Sequence, residues 1–187
     1  MKKVENIKII FLHGNGGGSV HGDDQWFPYL KKQFEKLDLQ VIARDFPDAD
    51  LARTAYWLPF LKDELKADEH SLLIGASSGA VAAMRFAENN KIFGSILVSP
   101  SYTDLGDPKE KASGYFDKPW NWDAIKKNQN WIVQFYSTDD PYIPTNEAHF
   151  IHKQLDTEYY EFTNQGHFWP KHEFPEVVAI VKEKLKI

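Results

Sequence analysis

The chain has 187 residues, 26% charged and 42% hydrophobic, a balance that suits one globular domain over residues 1–187 and excludes an extensively disordered chain. A formal net charge of -5 argues against a nucleic-acid partner, whose phosphates select basic surfaces. The lack of cysteine excludes disulfides, thiolate nucleophiles and cysteine-ligated metals, and no apolar run approaches membrane-spanning length.

At the N-terminus, Lys2 and Lys3 are followed by Val4-Glu5-Asn6, which breaks a signal-peptide pattern, and the run Ile9–Leu12 is too short for its apolar region. A cytoplasmic location is the expectation. Ile7 to His13 reads as a first strand and runs into Gly14-Asn15-Gly16-Gly17-Gly18, a loop nearly free of side chains, whose backbone N–H groups can approach a ligand closely. Two phosphate-binding patterns fail here. A P-loop needs Lys and then Ser or Thr after its last glycine, where this chain has Ser19-Val20, and a dinucleotide fingerprint needs Gly or Ala at position 19.

Apolar spacing predicts a helix from about Asp24 to Leu37 and a second strand from Leu39 to Arg44, followed by Asp45, read as a solvated loop acid. A single long helix is expected from about Ala52 to Ala67, with Trp57 as a packing residue. Leu72-Leu73-Ile74 then enters Gly75-Ala76-Ser77-Ser78-Gly79, and an alanine-rich helix follows at once. A G-x-S-x-G turn between strand and helix is where a nucleophile elbow sits, with Ser77 projecting from the sheet edge.

A fourth strand is predicted over Ile92 to Val98. The interval from Ser101 to Gln129 is broken by Pro108, Gly114 and Pro119, and has room for at most a small lid. Trp131 to Ser137 is the fifth strand, Thr138-Asp139-Asp140-Pro141 a turn, and the next helix runs to about Leu155. Glu158 to Thr163 forms a sixth strand, ahead of Gly166-His167-Phe168 and a last amphipathic helix starting near Pro175. Alternating strands and helices imply a parallel sheet covered on both faces, with ligands at the C-terminal strand ends. For the strand order 2-1-3-4-5-6, the glycine loop and the elbow share one crevice.

A serine hydroxyl needs a base, and the base needs an anion to orient it. His167 follows the sixth strand; Asp139 and Asp140 follow the fifth. The resulting order of Ser, Asp and His is that of α/β-hydrolase sheets. Asp139 and Asp140 are both open as the acid at this point. His149 and His152 lie three apart on a helix with no carboxylate pattern beside them, so no metal and no cofactor is expected.

On the glycine loop, the elbow, the Ser137–Pro141 turn and the Gly166–Phe168 turn, in that order, the chain resembles the small serine hydrolases of the retinoblastoma-binding-protein-nine and YdeN-like family. The likeness covers nearly the whole chain. It implies a three-layer α/β-hydrolase fold with about six parallel strands, and the roles of nucleophile for Ser77, acid for Asp140 and base for His167. The oxyanion donors it implies are the backbone N–H groups of Asn15 and Ser78. Ala76 departs from the pattern, since many hydrolases of this fold carry His there.

The expected activity is acyl hydrolysis of a small ester, thioester or amide, with a small-molecule or short peptide-like substrate. The competing expectation is a non-catalytic binding module on the same fold. Trp26, Tyr102, Trp120, Trp122 and Trp169 lie in segments where an aromatic side chain either lines a crevice or fills the core. They are the candidate substrate-lining residues.

Overall fold

Four of the strands are runs of enclosed side chains with almost no alternation, as expected where a parallel sheet is covered on both faces. These are β1 (Lys8–Leu12), β3 (Ser71–Ala76), β4 (Gly94–Val98) and β5 (Ile132–Ser137). The more exposed β2 (Gln40–Ile42) and β6 (Glu158–Phe162) form the edges. All neighbouring pairs are parallel, and the order is β2-β1-β3-β4-β5-β6. The computed structural model describes residues 7–187; Lys2, Lys3 and Val4-Glu5-Asn6 lie outside the described residues.

Successive side chains on each strand serve opposite layers. Ile9, Phe11, Leu72, Ile74, Ile96 and Phe135 pack on one face, under α1 (Phe27–Glu35) and α7 (Pro175–Leu185). Ile10, Leu12, Leu73 and Leu97 pack on the other, under α2 (Thr54–Pro59), α3 (Ser78–Ala87) and α6 (Thr145–Leu155). Every residue of α3 is buried. Its alanines let it lie close against the central strands, which fixes the residue just before it.

Two expected helices are shorter than their apolar spacing suggests. The stretch from Ala52 to Ala67 is not one α-helix: α2 ends at Pro59, and Phe60–Glu64 continues as a wider π turn, with the Leu65 N–H donating to the Phe60 carbonyl. Pro59 has no N–H for the ladder, so the hydrogen bonds reset there. The first helix starts at Phe27 instead of Asp24, with Pro28 in its first turn. Asp24 is engaged elsewhere, accepting from Trp169 Nε1 at 2.7 Å and, through its carbonyl, from the Lys171 N–H at 3.0 Å.

The interval from 101 to 129 carries two short helices, α4 (Pro108–Ala112) and α5 (Trp122–Lys127), and is fastened at its start and near its middle. At its start, the buried Glu147 accepts from the N–H groups of Tyr102 and Thr103 and from Thr103 Oγ1. Further along, the buried Arg85 donates to the carbonyls of Tyr115, Lys118 and Pro119, pairs with Glu88 at 2.7 Å, and lies 3.5 Å from the Trp120 ring centroid. Arg85→Met should lower the unfolding free energy by about 3 kcal/mol, because it strands an enclosed carboxylate and three carbonyls. Denaturant unfolding measures this; a loss below about 0.5 kcal/mol, the scale of an ordinary surface change, would contradict the anchoring role.

Candidate active site

β3 ends in a turn that only a chain with glycine on both sides can make. A Cβ on Gly75 would lie 2.5 Å from the Gly79 carbonyl oxygen, and one on Gly79 would lie 2.2 Å from the carbonyl oxygen of Leu12. Between them Ser77 is held at φ 52° and ψ -122°, a region unfavourable for an L residue, and its N–H is pinned to the Val98 carbonyl at 2.9 Å. Ser77 is thus lifted off the sheet at the start of α3. Among the described residues its hydroxyl makes no hydrogen bond. Gly79→Ala should cost about 1–3 kcal/mol by driving α3 away from β1, and should lower turnover with it. Thermal melting and activity assays check this, and a variant with unchanged melting and turnover would contradict the close packing.

Opposite the elbow, the glycine loop after β1 is held in place from behind. Gly16 and Gly17 donate to the carbonyls of Asp50 and Ala49 at 3.0 and 3.1 Å, while Asp45 accepts from Ser19 Oγ and from the Val20 N–H. Asp45 is therefore a brace for this loop and not merely a solvated acid. His13, buried at the loop's root, receives the Phe46 N–H at Nε2, which leaves Nδ1 to donate to the Gly14 carbonyl at 2.7 Å. Burial is the main cause of its lowered pKa, which favours this neutral form. The loop passes close to the elbow: a Cβ on Gly14 would lie 3.4 Å from that of Ser77. The N–H groups of Asn15 and Ser78 donate to no group among the described residues.

Asp140 and His167 come together from the turns after β5 and β6. The Asp140 side chain is fully enclosed, and its Oδ1 accepts from the N–H groups of Tyr142 and Ile143 at 2.9 and 3.0 Å. His167 Nδ1 lies 2.8 Å from Asp140 Oδ2 and 3.0 Å from Oδ1. Burial alone would raise the Asp140 carboxyl, but the hydrogen bond and charge of His167 and the two backbone donors outweigh it and hold the group below its ordinary value. Phe168, at φ 53°, is sunk into the core against Phe162 and Phe174, which presents the preceding imidazole outward. Asp139 points elsewhere: it is exposed and accepts from Ser137 Oγ and the Gly166 N–H, tying the two turns together.

Ser77, His167, the glycine loop and Asn15 line one crevice of about 780 Å³, with Asp140 behind the imidazole. Its rim carries the exposed Tyr142 and Trp169, and the Tyr142 ring meets His167 edge-on at 5.0 Å. Of the candidate lining residues, Trp169 is at the rim, and Trp26 borders the crevice from a nearly wholly buried position packed on Phe27 and Phe174. Tyr102, Trp120 and Trp122 do not line it. Tyr102 stacks on Phe150, Trp120 stacks on Trp122, and Trp120 Nε1 donates to the Tyr102 carbonyl, so these rings clamp the 101–129 segment onto α6 and Arg85.

One lining residue carries no obvious signature in the sequence. Glu110, in α4, accepts from Asn15 Nδ2 at 2.6 Å; burial raises its carboxyl pKa, and that hydrogen bond opposes the rise. Asp107-Pro108-Lys109-Glu110, an N-cap acid, a proline in the first turn and an acid three residues on, marks the start of a helix and not a place in the crevice.

Residues 9–182 match the Serine hydrolase family. The chain is 45% identical to Serine hydrolase RBBP9 of Rattus norvegicus over 181 residues, 95% of each protein. It is 28% identical to YdeN of Bacillus subtilis (strain 168) over 173 residues, 86% of this chain and 85% of that one. The crystal structure of the ydeN gene product from B. subtilis matches 97% of this chain and 100% of that one with a TM-score of 0.84 at 22% identity, a likeness of fold. A family match running from β1 into α7, together with a relative aligned along nearly its whole length, leaves one assignment: the chain belongs to the serine hydrolase family.

Proposed function

We propose that the protein cleaves a small ester, thioester or amide, short peptide-like substrates included, through an acyl-enzyme on Ser77. The observation that carries this reading is the enclosed Asp140 carboxylate bonded to His167 Nδ1, with His167 and Ser77 facing the same crevice. An imidazole held in this way keeps its proton on Nδ1 and leaves Nε2 to take and return another.

Ser77 Oγ bonds to the substrate carbonyl carbon as its proton passes to His167 Nε2, and the carbonyl oxygen gains negative charge. The N–H groups of Asn15 and Ser78, uncommitted within the protein, are suited to that charge. Collapse breaks the bond to the leaving group, which takes the proton from His167. Water then repeats the sequence: it gives a proton to Nε2, attacks the acyl carbon and releases the acid while Ser77 regains its hydrogen.

A panel of p-nitrophenyl esters of graded acyl length, with thioester and aryl-amide counterparts, tests the reading. Hydrolysis of at least the activated esters, abolished by a stoichiometric serine-directed fluorophosphonate, is expected. A folded protein that turns over none of them and resists the reagent would contradict it.

A further inference from the structure

We infer that Glu110 is a positioning residue that holds Asn15, and with it the main-chain donor of the glycine loop, in the geometry the reaction needs. This rests on the proposed acyl-enzyme chemistry at Ser77. The loop is braced on its outer side by hydrogen bonds from Gly16 and Gly17 to the backbone at 49 and 50 and by Asp45 beyond them. Asn15 itself receives none of these. Among the described residues its side chain makes one hydrogen bond, given to Glu110 Oε1 at 2.6 Å, and both residues line the crevice. The peptide plane that carries the Asn15 N–H is held at the Gly14 carbonyl by His13 Nδ1 at 2.7 Å, and Glu110 fixes the Asn15 side chain on the other side of the same residue.

The other end of the link is tied down by its own hydrogen bonds. Glu110 sits in the first turn of α4, whose N-terminus is capped by Asp107 accepting from the Lys109 and Glu110 N–H groups at 2.7 and 3.2 Å. The neighbouring Ser113 carbonyl accepts from the Thr54 N–H at 2.9 Å, and Lys109 reaches Asp50 beside the loop's outer brace at 3.2 Å. The segment after β4 thus sets the position of a donor that belongs to the loop after β1. Because Asn15 would act through its backbone N–H, Glu110 affects the reaction without touching the substrate.

Four variants test this, with steady-state kinetics on an activated ester and fluorophosphonate labelling of Ser77 in each. Glu110→Ala should lower kcat about 10-fold to 100-fold with little change in KM, the loss expected when a preorganised group is misplaced by about 1 Å. Glu110→Gln, which can still accept from Asn15, should keep most of the activity. Asn15→Asp sets two carboxylates against each other and should lose as much as Glu110→Ala; the double variant Asn15→Asp with Glu110→Gln restores a hydrogen bond with donor and acceptor exchanged, and should recover most of kcat. A role in folding alone would lower the fraction of chains that the fluorophosphonate labels and leave kcat per labelled site unchanged.

Wild-type protein labelled at Ser77 but indifferent to Glu110→Ala, a loss confined to KM, or no recovery in the double variant would overturn the inference and leave the acyl-enzyme reading standing. Wild-type protein that resists labelling and hydrolyses nothing would remove both.

Discussion

Ser77→Ala should lower kcat by about 10⁶-fold, the scale on which loss of the nucleophile has been felt in other serine hydrolases. Alanine keeps the Cβ, so it meets the same backbone strain at φ 52° and the same packing at the start of α3. The hydroxyl it removes makes no hydrogen bond among the described residues, so unfolding should change little. The effect should fall on turnover alone. An Ser77→Ala protein that retains more than about one part in 10³ of wild-type kcat would place the reacting oxygen elsewhere, since what survives loss of a serine nucleophile is about one part in 10⁶.

The second large effect separates two adjacent acids. Asp140→Asn should reduce kcat about 10⁴-fold while Asp139→Asn has a far smaller effect. Asp140 Oδ1 and Oδ2 accept from two backbone N–H groups and from His167 Nδ1 within a fully enclosed site. An amide there turns a donor either toward those N–H groups or toward the imidazole, and the second choice leaves Nδ1 as acceptor and Nε2 already protonated. Asp139 is exposed, and an asparagine oxygen can still accept from Ser137 and Gly166. Steady-state kinetics decides between them; equal losses, or the reverse ranking, would contradict the assignment.

The same pair has a consequence for stability. The folded-state pKa of Asp140 is depressed, so its contribution is fully present above the unfolded carboxylate value of about 3.9 and is lost as pH falls through the lower folded value. Asp140→Asn should therefore show a shallower loss of stability on acidification than the wild type.

The sheet order and the order of the chemical groups were legible because continuous apolar runs identify central parallel strands and because glycine, serine, aspartate and histidine stood at their ends. The helices were less legible where proline intervened: Pro59 divides a stretch whose apolar spacing alone predicts one helix. Aromatic residues in irregular segments were ambiguous, since a tryptophan fills the core or lines a crevice with the same composition around it. Trp26 does both, whereas Tyr102 and Trp120 are committed to Phe150, Trp122 and Arg85. The role of His13 is not visible in the sequence, because its Nε2 accepts from a backbone N–H, that of Phe46, which sequence patterns do not mark. Glu110 was hidden for a related reason: its local signature explains a helix cap, and only the fold brings it to Asn15, 95 residues away.

The most direct test of the central claim is peptide mapping by mass spectrometry of wild-type protein treated with a fluorophosphonate. One adduct per chain is expected, on the tryptic peptide from Ala67 to Arg85, with fragment ions placing it on Ser77 and not on Ser71 or Ser78, and none in Ser77→Ala. An adduct on any other residue, or one that survives in the alanine variant, would contradict the account.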